Sequence, residues 1–127
     1  MAEVVLDASA VLAFVYGEPG ADVAGQAMVG GLVSAVNQAE VLNKLVDDGM
    51  APHDAAHFTA RLGYHVVLVD EATAVTISTF QHRTRRKSVS LGDQFCLALG
   101  LERGLPVLTG EKRWAELGLD VEVRLIR

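Results

Sequence analysis

Short apolar runs alternate with longer stretches of helical periodicity along this chain, and that alternation lays out its elements. Residues 3–6 (EVVL) read as a buried strand ending at Asp7, and residues 8–16 as a helix stopped by Gly17, Pro19 and Gly20. Residues 21–29 predict a second helix, closed by Gly30 and Gly31, and residues 32–34 (LVS) a second short strand. Asn37 to Asp48 carries the strongest helical stripe, through Val41, Leu42, Leu45 and Val46, and Gly49 ends it. Pro52 opens a helix that runs to Arg61, before Gly63. Residues 65–69 (HVVLV) predict the third strand, and Glu71 to Thr84 a helix running into a basic loop. Ser90 to Glu102 predicts a helix closed by Gly104, and residues 106–109 (PVLT) the fourth strand. A helical turn through Trp114 and Leu117 follows, then residues 121–126 (VEVRLI) alternate as a last strand.

Strands separated by helices imply parallel pairing through crossovers. The expected fold class is therefore α/β: a three-layer α/β/α domain with a central, mainly parallel sheet of about five short strands. No internal repeat, linker or low-complexity segment interrupts the pattern, so residues 1–127 are expected to form a single domain.

Composition narrows the class without changing the fold. Half of the 127 residues are apolar (50%) and 21% are charged, an ordinary soluble balance. No apolar run approaches the roughly 20 residues that span a bilayer. The first apolar run is too short for a secretory signal and has no basic flank, so a cytoplasmic location is expected. Cys96 is the one cysteine, which excludes an intramolecular disulfide and a cysteine metal site; within FCLAL it reads as a small core residue. A net charge of −5 argues against binding nucleic acid by charge alone, but it hides the basic run HRTRRK at 82–87. Acids can hold a cation while bases gather at the rim, so total charge does not settle the partner.

In open parallel sheets, sites form in the crevice beyond the carboxyl ends of the strands. That rule selects Asp7 after the first strand and Glu111 just after the fourth. Glu40 lies in the early turns of the helix after the second strand, and Asp93 opens the helix before the fourth. Four carboxylates brought to one edge repel each other and lose water. A hard divalent cation resolves that conflict, and Mg²⁺ or Mn²⁺ suits oxygen donors. His53, His57, His65 and His82 neither pair with cysteines nor form an HExxH arrangement, and each reads as a surface or partly buried side chain.

Every acid also has a purely structural reading. Asp7 can cap the following helix, and Ser90 with Asp93 has the spacing of a capping box. Glu111 can favour the positive end of the next turn. Glu40 can pair with Lys44 one turn on, a contact worth about 0.3–0.5 kcal/mol.

Three segments carry a family likeness. VVLDASAVLA resembles the opening of PIN-domain ribonucleases, especially the VapC toxins of type II toxin–antitoxin systems. SAVNQAEVLNKL resembles that family's second motif, with Glu40 in the acidic place, and SLGDQFCLALGLERGLPVLTGEKRWAEL resembles the third acid, its helix, the next strand and the last motif. The likeness runs in order from Val4 to Arg127, with residues 50–80 uninformative. One departure stands out: the family's T-x-D is here Thr109, Gly110, Glu111, which keeps the charge on a longer side chain that reaches farther and has another torsion to fix.

The resemblance implies Mg²⁺- or Mn²⁺-dependent hydrolysis of RNA phosphodiester bonds. It assigns Asp7 and Asp93 as the main metal ligands, Glu40 to holding and orienting or deprotonating the water, and Glu111 to a second metal or the outer shell. Ser9 and Thr109 would support them by hydrogen bonding, with first-turn and strand-end roles as the alternative. Arg83, Arg85, Arg86 and Lys87, with Lys112 and Arg113, are candidates to hold RNA phosphates; a solvated basic loop is the competing reading. Family membership further implies a homodimer and a VapB antitoxin partner. The apolar helices at 8–16 and 21–29, with Phe14, Val15 and Tyr16, are candidate partner surfaces, against core packing.

Other classes fit less well. A haloacid-dehalogenase-type phosphatase needs DxDx[TV], and Ser9 stands where its proton donor belongs. A receiver-like domain needs paired acids after the first strand, and Asp7 has no acidic neighbour. The remaining rival is a catalytically silent PIN-like protein that binds RNA or a partner without cutting.

Overall fold

The computed structural model describes residues 3–85 and 88–127. Five strands, β1 (Val5–Leu6), β2 (Leu32–Ser34), β3 (His65–Val67), β4 (Val107–Thr109) and β5 (Val123–Leu125), form one sheet in the order β3-β2-β1-β4-β5. Every pairing is parallel, with Val5 opposite both Leu32 and Val107, Ser34 opposite Val67, and Thr109 opposite Leu125. Between the strands lie α1 (Ala8–Tyr16), α2 (Ala21–Met28), α3 (Ala35–Asp47), α4 (Pro52–Ala60), α5 (Glu71–Thr79), α6 (Gln81–Thr84) and α7 (Leu91–Arg103). A 3₁₀ turn at Lys112–Glu116 precedes β5.

The two faces of the sheet follow from the period-2 alternation of a strand. Val4, Leu6, Val33 and Leu108 pack into one core, against Ala10, Val11 and Ala13 of α1, Met28 of α2 and Val41 and Leu45 of α3. Val5, Leu32 and Val107 point the other way, into a second core with Ile77, Phe80, Leu97, Leu99 and Trp114. The sheet therefore lies between two helical layers, as the alternation of elements predicts. Gly31 shows how closely they meet: a Cβ there would stand 2.4 Å from Leu6 Cδ1 and 2.6 Å from the Ala27 carbonyl oxygen.

Several boundaries differ from the sequence expectation, β1 and β5 each being shorter than expected, and three of the differences have a visible cause. Helix α3 begins at Ala35, two residues early, because Ser34 ends β2 and caps the helix by accepting from the Asn37 amide (3.1 Å). The segment expected as one helix from Glu71 to Thr84 breaks at Phe80 (φ −119°, ψ 16°), whose ring is buried in the second core. β3 ends at Val67 because its sheet neighbour, β2, offers three residues, and Leu68 beyond it is 86% exposed. Among the described residues, no helix is long and apolar enough to cross a membrane.

Candidate active site

The chain steps outward from β1 through β2 to β3, then returns to the other side of β1 for β4 and β5. Neighbouring connections thus leave the sheet in opposite directions at β1 and β4, which opens a crevice at their carboxyl ends. Asp7 follows β1, Thr109 ends β4, and Ser34 ends β2 beside them.

Asp7 is 2% exposed and fully engaged. Its Oδ1 accepts from the Ala10 amide (2.8 Å) and its Oδ2 from the Thr109 hydroxyl (2.6 Å). The Ser9 hydroxyl is shared between the two carboxylate oxygens at 2.7 and 2.9 Å, and Ser9 Oγ accepts from the Gly110 amide (3.0 Å). Thr109 Oγ1 in turn accepts from the Glu111 amide (3.0 Å). Asp7 therefore does cap α1, and the same carboxylate also ties the end of β1 to the end of β4. Burial pushes its pKa up to about 6; hydrogen bonds from Thr109, Ala10 and Ser9 oppose the rise, and the charge of Asp93 adds to it.

Asp93 is half-buried in the first turn of α7, where its amide donates to the hydroxyl of the capping Ser90 (3.2 Å). Burial raises its pKa, hydrogen bonding to Ser90 opposes that, and the charges of Glu40 and Glu111 raise it further. The capping reading is thus correct and incomplete, because the same side chain feels two distant carboxylates.

Glu40 does not pair with Lys44, which instead holds Asp48 at 3.4 Å. Its Oε1 accepts from Asn37 Nδ2 (2.7 Å), and its carboxylate lies against Gly92, where a Cβ would meet Oε2 at 2.6 Å. Asn37 is fully buried, donates also to the Gly92 carbonyl (3.1 Å), and accepts from the Ser34 hydroxyl (2.8 Å). One amide side chain therefore joins the end of β2, the Glu40 carboxylate and the start of α7. Sequence reasoning missed Asn37. Its signal is the spacing Ser34, Asn37, Glu40, which places the cap, the amide and the acid on one face of one helix. Cys96, fully buried as expected, lies beneath the group; burial raises its pKa well above the usual thiol value, and the charges of Asp7, Asp93 and Glu40 add to that.

Glu111 is exposed and precedes the 3₁₀ turn. With Asp93 it lines a pocket of about 180 Å³, completed by Ser88, Val89, Arg113 and Trp114. A larger pocket of about 250 Å³ lies at the opposite edge of the sheet, around Gly30, Gly31 and His65, and gathers none of the four acids. Arg113 therefore stands beside two of the acids. Arg83 is exposed and donates to the Gly118 carbonyl, Arg85 and Lys112 are exposed, and Arg86 and Lys87 lie outside the described residues.

Among the described residues, no Lys or Arg forms an ion pair with Asp7, Glu40, Asp93 or Glu111. Nor do three acid, histidine or cysteine side chains among them stand ready-made around a point that could take a metal ion. The donor set is nevertheless all carboxylate oxygen, and burial, with the nearby charges of Glu40 and Glu111 adding to it, raises the pKa of Asp93. Both features fit a hard divalent cation that keeps several of its own waters, as Mg²⁺ does.

A parallel α/β/α sandwich with acids at the switch between its inner strands defines the class to which this chain belongs. The PIN domain family model matches residues 4–119, and the chain belongs to that family. No curated protein sequence matches it. Among solved structures, it is similar to a toxin–antitoxin complex from Klebsiella pneumoniae (TM-score 0.76, 16% identity, 98% of each chain covered). VapBC-1 from nontypeable Haemophilus influenzae is similar at TM-score 0.75 and 13% identity, again over 98% of each chain. DNA-bound VapBC from Salmonella typhimurium matches at TM-score 0.74 and 16% identity, over 100% of each.

Proposed function

We propose that this chain is a metal-dependent endoribonuclease, the VapC-type toxin of a toxin–antitoxin pair, acting in the cytoplasm as a homodimer whose single domain spans residues 1–127. The observation that carries the reading is the placement of the acids at the carboxyl edge of a PIN fold: Asp7 is tied to Thr109 at the end of β4, Glu40 packs against Gly92 beside Asp93, and Asp93 and Glu111 line one pocket. The likeness to chains from VapBC complexes supports a VapB-type antitoxin as partner. Phe14 and Tyr16 on α1, 39% and 41% exposed, are available to such a partner or to a second copy.

Asp7, Asp93 and Glu40 would hold Mg²⁺ or Mn²⁺, with Glu111 supporting from the pocket rim. The ion would lower the pKa of the attacking water, neutralise the phosphate and stabilise charge on the leaving oxygen. The chain's own groups set the geometry. Thr109, Ser9 and the Ala10 amide fix both oxygens of Asp7, so that side chain needs no rearrangement to present its charge. Asn37 holds one oxygen of Glu40 and leaves the other to orient the water and take its proton as it attacks phosphorus. Arg113 beside the acids, with Lys112 next to it, would bind the phosphates flanking the scissile bond.

The test is cleavage of a mixed RNA pool and of single-stranded DNA by purified protein in Mg²⁺, in Mn²⁺ and in EDTA. RNA cleavage in the metals, none in EDTA and little cutting of DNA is the expected pattern. RNA binding without cleavage in either metal would overturn the enzyme and leave the silent binding protein.

A further inference from the structure

Away from the acid cluster, α4 carries two histidines at the i, i+4 spacing that stacks side chains on one helix face. His53 and His57 are both exposed, and their ring centroids lie 4.4 Å apart in an edge-to-face contact. No hydrogen bond or ion pair involving either ring occurs among the described residues, so their nitrogens are free to bind. We propose that His53 and His57 form a two-histidine chelate on α4 for a borderline divalent transition cation such as Zn²⁺ or Ni²⁺, separate from the oxygen-donor centre.

The reasons are geometric and chemical. Two imidazoles one turn apart on a helix are already held close, so chelation costs little further ordering; this is the placement that the HExxH motif uses for its zinc. A tetrahedral ion with Zn–N bonds of about 2.0–2.1 Å needs its two ring nitrogens roughly 3.3 Å apart. The two rings are in edge contact with centroids 4.4 Å apart, and both side chains are exposed and free to turn their nitrogens toward a shared ion. Ala55 and Thr59 of the same helix are buried, which anchors the backbone while the histidine face stays in water. With only two protein donors, solvent fills the remaining positions, so the site binds weakly and reversibly. Imidazole nitrogen also sorts the ions: it favours Zn²⁺ and Ni²⁺, while Mg²⁺ goes to the carboxylates.

Calorimetric titration of untagged protein with Zn²⁺ at pH 7.5, in excess Mg²⁺ to occupy the hard-oxygen centre, tests the proposal beside His53→Ala and His57→Ala. Alanine preserves the helix, and circular dichroism checks that both variants fold. One Zn²⁺ site in the parent that weakens at least about tenfold in each variant is expected. Retention of the parent on a Ni²⁺-chelate resin, lost in both variants, is the parallel expectation. Zn²⁺ affinity that is absent in the parent, or unchanged in both folded variants, would overturn it.

Discussion

Asp7→Asn is expected to cut metal-dependent RNA cleavage at least about 100-fold, the scale of losing one member of a preorganised electrostatic centre. The same substitution should raise the melting temperature of the metal-free protein at neutral pH. Asparagine caps a helix as well as aspartate does, so its oxygen can still accept from Ala10. Its amide can donate to Thr109, whose hydroxyl only has to turn. What disappears is the buried charge. The folded pKa of Asp7 is raised from 3.8 to about 6, so its contribution to stability is fully present below about 3.8 and lost as pH rises through 6. Above that, the ionised side chain costs at most about 3 kcal/mol at 1.36 kcal/mol per pKa unit. Thermal melts in EDTA from pH 4.5 to 8 should show the parent losing stability relative to Asp7→Asn as pH rises. A variant that melts below the parent by a constant margin at every pH would contradict this. A residue that lowers stability in the apo protein yet holds the centre together is what a cation-binding acid looks like.

Asn37→Ala should be the next largest change, and it acts through geometry rather than charge. The substitution removes a fully buried amide, so the Ser34 hydroxyl hydrogen loses its acceptor and the Gly92 carbonyl loses its side-chain donor, at a cost of about 1–3 kcal/mol. Glu40 loses its tether at the same time. The expected kinetic signature, in saturating metal, is a lower kcat with KM for RNA little changed, because Asn37 positions a reacting group and lies beneath the surface. An unchanged kcat in a destabilised but folded Asn37→Ala would reduce Asn37 to a structural residue.

Much of the fold was legible because local rules and tertiary packing agree. Val4 and Leu6 against Val5 show the strand alternation, and Gly17 and Gly104 end their helices in left-handed geometry as helix-stopping glycines do. The misread boundaries lie where tertiary contacts decide. Phe80 turns into the second core and breaks a helix that periodicity would continue, and β2 limits how far β3 can pair. At the site, the acids were readable as strand-end and helix-start residues, but their mutual charge depends on which strands are neighbours, which no spacing records. Asn37 was hidden because the contact that gives it a role, with Gly92 at the start of α7, joins elements far apart in sequence. The histidine pair was hidden differently: the spacing was visible, but only an exposed, anchored α4 brings the two rings into contact in solvent.

The central claim is that these carboxylates form the centre that cuts RNA, and Asp93 stands among them, in one pocket with Glu111 and next to the Gly92 that Glu40 packs against. The direct measurement is single-turnover RNA cleavage in Mg²⁺ by the parent and by Asp93→Asn, with matched circular dichroism spectra. The account predicts cleavage by the parent and a loss of at least about 100-fold in the variant, with RNA still bound. Equal cleavage by both proteins would place the chemistry elsewhere and contradict the account.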